Sequence, residues 1–290
     1  MRGAEVSVAI AVWRFLRSGL RSFWFVGMLV AAVVDCWWRR PRVGAEGAIW
    51  IHGWCRRIVR VLGFECLVEG AVPSGGAVVS NHLSYLDILL YSSVQPFVMV
   101  AKTEVRGWPL LGWLTAQAGT VYVERGGGPK TYAGVNAAMA EAYRSGLPVL
   151  FFPEGTTTDG AEVLPFRRGL FHSVLNGGVA LRVAALRYSL DAHLVNGSAT
   201  VGTDVCWWGD MEFGSHMFKF LGLRGLRAKI RFGEEIVERA DRFVLSKTAQ
   251  GVVAEMYEGL GLEAGANVGW EHDSALVGAL RAGPGIVENC

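Results

Sequence analysis

The sequence predicts an α/β fold, in which a mostly parallel sheet flanked by helices follows an N-terminal two-helix membrane platform. From Phe64 onward, short apolar runs alternate with longer helical stretches, which is the pattern of parallel β–α units. Before that point, residues 23–34 form an uninterrupted apolar run of twelve residues. Residues 47–62 then place their apolar side chains on one helical face, with the arginines largely off it.

Composition limits the class of protein. The chain has 290 residues, 51% of them hydrophobic, with a mean hydropathy of +0.30, which is high for a soluble protein and low for one with many membrane spans. The net charge of +2 is uneven, because residues 1–65 contain ten arginines and four acidic residues. A basic, tryptophan-rich N-terminal part beside an acidic body favours contact with anionic lipid over nucleic acid. A solvated basic face is the alternative.

The cysteines indicate a reducing environment. They are Cys36, Cys55, Cys66, Cys206 and Cys290, an odd number with no Cys-x-x-Cys or Cys/His ligand spacing. We therefore expect reduced, mostly buried thiols in a cytosol-facing protein, and neither a disulfide framework nor a zinc site.

The apolar run at residues 23–34 is the strongest membrane signal in the chain. Arginines flank it on both sides and tryptophans follow it, a combination typical of the headgroup level of a bilayer. A spanning helix needs ~20 apolar residues. We therefore expect residues 1–63 to form an anchor that lies in, or dips into, one leaflet. The absence of a small-residue cleavage site before the basic cluster argues against a signal peptide, and an ordinary buried helix is the alternative.

Residues 64–261 are expected to form the α/β domain, and residues 262–290, rich in Gly and Ala, a flexible tail. Predicted strands are 64–69, 76–80, 97–101, 119–124, 148–152, 180–187 and 227–233; predicted helices lie near 85–94, 109–117, 130–145, 167–176, 211–221 and 241–260. Ligands of parallel sheets bind outside the carboxyl ends of strands. The segments that follow the strands are therefore the candidates for a site.

Several of these segments suit acid–base chemistry and anion binding. His82 and Asp87 follow a strand, and an aspartate can fix the tautomer of an imidazole that takes a proton from a hydroxyl. Because residues five apart do not share a helix face, we expect His82 in the loop and Asp87 in or near the first helical turn. Lys102 and Arg125 end two other strands, where a cation can hold an anionic group. The Pro-Glu-Gly-Thr turn at residues 153–156 offers N–H groups and hydroxyls for a phosphate or an oxyanion.

One further basic segment lies at residues 165–171. Arg167 and Arg168 stand near a predicted helix start, where the helix dipole disfavours cations, so their placement favours a neighbouring anionic ligand. Each of these features in isolation is equally typical of an ordinary loop.

Together the segments resemble the glycerolipid acyltransferase family, the lysophosphatidic acid acyltransferases and their relatives. The likeness covers roughly residues 60–235, in the order and spacing of the family. The matching positions are His82 and Asp87 in the first block, Gly119, Tyr122 and Arg125 in the second, residues 152–156 with Thr158 in the third, and residues 102–104 and 166–169 in the connecting signatures. Residues 183–188 correspond to the fourth block but lack its proline.

The resemblance implies a glycerophosphate acyltransferase-like fold and transfer of a fatty acyl group from acyl-ACP or acyl-CoA to a lysolipid hydroxyl. His82 would be the general base, and Asp87 would hold its imidazole. The acceptor phosphate would be bound, or its site shaped, by Lys102, Arg125, Glu154, Gly155 and Thr156. Gly155 N–H would also be an oxyanion donor.

The same resemblance implies how the reaction runs and where. Transfer would be direct, since no Gly-x-Ser-x-Gly nucleophile elbow occurs. It would need no metal or redox cofactor, and acyl carrier protein or CoA would serve as co-substrate. The enzyme would sit on the inner (cytoplasmic) membrane among its lipid substrates, with the catalytic domain facing the cytosol.

The acceptor stays open. Lys102 and Arg125 suit the phosphate of 1-acyl-sn-glycerol 3-phosphate, whose acylation gives phosphatidic acid. Residues 207–224 are similar to a stretch of the bacterial lyso-ornithine lipid branch, so lyso-ornithine lipid O-acylation is the alternative. Two alternatives of other classes are a non-catalytic lipid-binding membrane protein and a hydrolase of lipid thioesters.

Overall fold

The computed structural model describes residues 2–124, 129–191, 194, 197–237 and 241–265. Two sequence predictions fall outside these residues. They are the role of Arg125 and the greater part of the expected C-terminal tail, residues 266–290.

Within the described residues, seven strands form a single sheet. They are β1 (Glu65–Glu69), β2 (Ala77–Ser80), β3 (Val98–Lys102), β4 (Val121–Val123), β5 (Val149–Phe151), β6 (Leu181–Leu190) and β7 (Leu226–Glu235). Their order is β1-β7-β6-β2-β5-β3-β4, and every neighbouring pair is parallel except β6 with β7. The predicted mostly parallel sheet is therefore confirmed. All four residues of β2 are buried, which places the end of this strand at the centre of the molecule.

Helices flank the sheet. They are α1 (Arg2–Arg39), α2 (Ala45–Leu62), α3 (Leu86–Val94), α4 (Leu111–Gln117), α5 (Pro129–Arg144), α6 (Phe171–Gly177), α7 (Val201–Asp204), α8 (Phe213–Leu221) and α9 (Arg242–Gly265), with a 3-10 helix at Thr103–Gly107. The buried faces of these helices and the strands share one hydrophobic core. The inner strands β2 and β5 are buried along their whole length, as expected of parallel strands that helices cover.

The N-terminal helix α1 is much longer than the apolar run within it. Its first half packs on α8, where two arginines bind the carbonyls at the end of that helix. Arg17 Nη1 donates to Gly222 O at 2.8 Å, and Arg21 Nη1 donates to Leu223 O at 2.6 Å. The last carbonyls of a helix have no partner within it, so these arginines stabilise the end of α8. The stretch Val8–Arg39 is long and apolar enough to cross a membrane, by length and composition.

A single carboxylate joins α1 to α2. Asp35 Oδ2 accepts hydrogen bonds from Trp50 Nε1 at 2.8 Å and Trp54 Nε1 at 3.0 Å, while Oδ1 accepts one from Arg39 Nε at 2.7 Å. The outward faces of the pair expose large apolar side chains, among them Trp13, Phe23, Trp24, Trp37, Trp38 and Ile49. A contiguous apolar surface of this kind is typical of membrane association.

Candidate active site

The central strand β2 delivers the first site residues to its carboxyl end. Asn81, buried just after the strand, fixes the chain there, because its side-chain amide pairs with the backbone of Leu186 in β6. Asn81 Nδ2 donates to the carbonyl of Leu186 at 2.9 Å, and the N–H of Leu186 donates to Oδ1 at 2.8 Å. His82 therefore begins a loop whose origin is held by the sheet.

His82 and Asp87 form a hydrogen-bonded pair. Nδ1 of His82 lies 2.7 Å from Oδ2 of Asp87, which is in the first turn of α3, where the spacing predicts it. The N–H groups of Leu83 and Ser84 donate to the same oxygen at 2.7 and 3.1 Å, and the hydroxyl of Tyr188 donates to Oδ1 at 2.6 Å. These donors compensate for the complete burial of the carboxylate.

The donor pattern around Asp87 assigns the tautomer of His82. A carboxylate surrounded by donors accepts, so Nδ1 carries the proton and Nε2 keeps its lone pair. The imidazole stacks on Phe152, with ring centroids 4.1 Å apart and planes 9° apart, and 18% of its side chain is exposed. Nε2 is therefore held in a fixed orientation as the ring nitrogen left for a substrate.

Tyr188 is a site residue that the sequence analysis missed. It is buried in β6, and burial together with the negative charge of Asp87 raises the pKa of its hydroxyl well above the ordinary value. The phenol therefore stays protonated and remains a donor to the carboxylate. The one signal in the sequence was its position at the end of residues 183–188, the segment that matches the fourth block.

Glu154 holds the backbone of the catalytic loop. Its side chain is buried, Oε1 accepts the N–H of His82 at 2.7 Å, and Oε2 accepts the N–H of Leu164 at 3.0 Å. The N–H of Thr158 donates to the carbonyl of His82 at 3.0 Å, so both sides of the His82 backbone are bound to the 154–158 loop. Burial raises the pKa of Glu154 to about 7, although both N–H donors act in the opposite direction.

This arrangement corrects two expected roles in the turn at residues 153–156. Both Glu154 oxygens face backbone N–H groups, and neither Glu154 nor Thr156 is among the side chains that line the cavity beside His82. The Gly155 N–H donates to the carbonyl of Phe152 at 3.1 Å, so it is already used within the turn and is not a free oxyanion donor. The reason is that the carboxylate of Glu154 and the N–H of Gly155 are already bound to backbone groups of the loop and the turn.

The cavity beside His82 has a volume of about 350 Å³. Two cations that the sequence singled out, Lys102 and Arg167, lie on its wall together with the acidic Glu104 and Glu124. Gly155 is also on the wall, with φ of 68°, and a Cβ there would lie 2.8 Å from Cδ of Arg167. Glycine at this position therefore lets the Arg167 side chain cross the turn. Arg125, expected beside Lys102, is outside the described residues.

An apolar cavity of about 150 Å³ adjoins the first one. The two share four wall residues, Tyr85, Ile88, Val105 and Trp108. Side chains of both N-terminal helices also line the apolar cavity, including Phe25 and Trp54. The cavity at His82, whose wall includes the charged side chains just named, thus adjoins an apolar cavity lined in part by the two N-terminal helices. Within the described ranges, no group of three or more His, Cys, Asp or Glu side chains is arranged to hold a metal ion.

Comparison with known proteins identifies the family. The family model described as Acyltransferase matches residues 66–185. The lyso-ornithine lipid O-acyltransferase of Pseudomonas aeruginosa is 36% identical over 69% of this chain and 75% of its own length. Its counterpart in Rhodobacter capsulatus is 37% identical over 58% of this chain and 60% of its own length. The 1-acyl-sn-glycerol-3-phosphate acyltransferase of Neisseria gonorrhoeae is 32% identical over 63% of this chain and 71% of its own length.

A solved structure shares the fold. The crystal structure of the 1-acyl-sn-glycerophosphate acyltransferase from Thermotoga maritima superposes with a TM-score of 0.57, at 17% identity, over 90% of this chain and 98% of its own. The order of the blocks, the sheet that carries them and these relatives agree with the resemblance predicted from the sequence. The chain belongs to the acyltransferase family.

Proposed function

We propose that this protein transfers a fatty acyl group from a thioester directly to the hydroxyl of a lysolipid. The observation that carries the proposal is the His82–Asp87 pair at a cavity whose wall includes charged side chains and which shares wall residues with an apolar cavity. The charged side chains suit a lipid headgroup, and the apolar cavity suits an acyl chain.

In the proposed reaction His82 acts as general base. Nε2 takes the proton of the lysolipid hydroxyl, and the oxygen attacks the thioester carbonyl carbon. The carbon–sulfur bond breaks, and the imidazolium gives the proton to the departing sulfur, which leaves as a thiol. Asp87 stabilises the imidazolium through Nδ1–H and keeps the ring in the required tautomer. His82 and Asp87 supply these steps without a metal or redox cofactor.

Direct transfer is supported by the state of the nearby thiols. Cys55 and Cys206 are buried, and burial raises the pKa of each to about 12. Thiols of this kind stay protonated and are poor nucleophiles, so an acyl-cysteine intermediate has no support. Loss of thioester in the absence of any acceptor would instead favour a hydrolase, and absence of turnover would favour a lipid-binding protein.

For the acceptor we propose 1-acyl-sn-glycerol 3-phosphate as the default. Lys102 and Arg167 lie on the same cavity wall as His82, where they can bind the phosphate while the hydroxyl meets Nε2. Arg125 joins them in the proposal through its match to the second block. Its product would be phosphatidic acid.

A lyso-ornithine lipid is the second candidate, favoured by two carboxylates. Glu104 and Glu124 line the cavity together with the cations and can bind an ammonium group. The ornithine headgroup has such a group, whereas glycerol phosphate does not. Two relatives that are 36% and 37% identical to this chain also carry this name. Purified protein given both acceptors and one labelled acyl-carrier donor will decide, because the two products differ in mass.

We further propose that residues 64–261 are the catalytic unit and that residues 1–63 embed in the cytosolic leaflet of the inner membrane. The docking of the first half of α1 on α8 supports embedding over crossing, because Arg17 and Arg21 stay with the α/β body. Protease access to the N-terminus in sealed vesicles tests this. A span predicts protection from one side, whereas an embedded anchor leaves both ends of α1 on the same side.

A further inference from the structure

We propose that the groove between residues 165–169 and α9 is the docking surface for an acidic carrier protein that presents the acyl thioester. The inference rests on the proposed function and adds the partner and its place of contact. The groove has a volume of about 670 Å³ and is lined by Pro165, Phe166, Arg167, Arg168, Gly169, Phe243, Ser246, Lys247 and Gln250. Its open shape fits the surface of a protein, whereas a small molecule is usually enclosed by its site.

The groove carries positive charge. Arg167, Arg168 and Lys247 line it, and Arg242 stands at its edge; all four side chains are exposed. The neighbouring acid, Asp241, is used to cap α9, where Oδ1 accepts the N–H groups of the next residues at 2.6 and 2.9 Å. A surface of this kind complements an acidic partner and steers its approach.

An exposed aromatic ring sits among these cations. Phe243 is 49% exposed, with the guanidinium of Arg168 4.3 Å and that of Arg242 5.3 Å from its ring centroid. Aromatic and arginine side chains are the commonest anchors of protein interfaces. The ring is presented on a fixed support, because the opposite face of α9, including Leu245 and Ala249, is buried.

The groove adjoins the catalytic cavity. Arg167 and Gly169 line both. A carrier seated on Phe243 and Lys247 would therefore need only to extend its prosthetic arm past Arg167 to bring the thioester to His82. The groove contains no residue of α1 or α2, so a soluble carrier can reach it while the apolar helices contact the membrane.

The test compares two donors that share the thioester but differ in the carrier. We would measure kcat and KM with acyl-ACP and with acyl-CoA for wild type, Lys247→Glu and Phe243→Ala. The matched control is Arg144→Glu, a charge reversal at the exposed end of α5. Both groove variants should raise KM for acyl-ACP by roughly tenfold, with kcat nearly unchanged, and leave the acyl-CoA constants and the thermal midpoint as in wild type. The control should match wild type with both donors.

Salt provides a second measurement. The wild-type KM for acyl-ACP should rise as ionic strength increases, and this dependence should weaken in Lys247→Glu. Unchanged acyl-ACP kinetics in both variants, an equal loss with both donors, or wild-type turnover of acyl-CoA without any use of acyl-ACP would overturn the docking surface. Failure of the proposed function is distinguishable, because the wild type would then form no acylated lipid with either donor.

Discussion

Nδ1 of His82 and Oδ2 of Asp87 lie 2.7 Å apart, and the carboxylate is completely buried. Two backbone N–H groups and one hydroxyl also donate to this carboxylate, so its orientation does not depend on the histidine. The carboxylate is therefore prepared before any substrate binds, and it fixes which imidazole nitrogen meets the acceptor.

Asp87→Asn should disable the pair while leaving most of the fold intact. The amide NH2 takes the place either of Oδ2, where it faces the two loop N–H groups and the imidazole together, or of Oδ1, where it faces the Tyr188 hydroxyl. In both cases the negative charge that stabilises the imidazolium is lost, so we expect kcat to fall by about three to four orders of magnitude. Steady-state acyl transfer measures this. A loss smaller than tenfold would contradict the assigned role of the carboxylate.

Tyr188→Phe should weaken the site through Asp87. The variant removes the donor 2.6 Å from Oδ1 and leaves that oxygen buried without it. We expect kcat to fall about tenfold and the free energy of unfolding to fall by about 1.5–3 kcal/mol. The matched control is Tyr143→Phe, whose hydroxyl bonds to Ser173 Oγ at 3.2 Å away from the pair. An unchanged kcat in Tyr188→Phe, with only the stability lowered, would assign the tyrosine to the core alone.

Glu154→Gln should change how stability depends on pH. The pKa of the buried carboxyl is raised from 4.5 to about 7, so the native state holds this proton more tightly than the unfolded chain. Its contribution to stability is fully present below about pH 4.5 and is lost as the pH rises through about 7. Denaturant unfolding at a series of pH values measures the difference between wild type and variant. The free energy of unfolding of the wild type, relative to that of the variant, should decrease from pH 4.5 to 7 and then level off. A difference that does not change with pH would refute the raised pKa.

Asp35→Ala should loosen the N-terminal helix pair. It removes the acceptor shared by Trp50, Trp54 and Arg39. We expect faster proteolysis between α1 and α2 and weaker retention on vesicles, because the two apolar faces are no longer held together. Arg39→Ala is the control, since it keeps both tryptophan bonds and should lose far less. Equal behaviour of the two variants would mean that the carboxylate does not join the helices.

The inner strands were predictable because they are short apolar runs, and all seven described strands lie within three residues of the expected bounds. The length of α1 was not. Arg17 and Arg21 flank the apolar run in the sequence, and the helix continues through them, where both side chains bind carbonyls at the end of α8. These contacts join residues about 200 positions apart in sequence, so the local pattern of apolar and charged residues does not predict them.

The site likewise combines contacts between residues that are near in sequence with contacts between residues that are far apart. His82 and Asp87 are only five residues apart, so the sequence suggested a pair, and the match of the other segments to the family's blocks made that pair specific. Tyr188 is 101 residues from Asp87 in sequence and meets it only because β6 lies next to β2. Glu154 was expected to face a ligand, and burial turned it towards the backbone of His82 instead. The motifs identified the candidate residues, and the topology of the sheet determines which groups each of them contacts.

The most direct test of the central claim is acyl transfer by His82→Ala. The variant should retain its thermal midpoint and its association with vesicles but form no acylated lipid from labelled donor and lysolipid above the background rate, because it removes the imidazole that takes the hydroxyl proton. His172→Ala, at an exposed histidine of α6, is the matched control and should keep wild-type activity. Near-normal turnover by His82→Ala would contradict the assignment of this histidine as the general base.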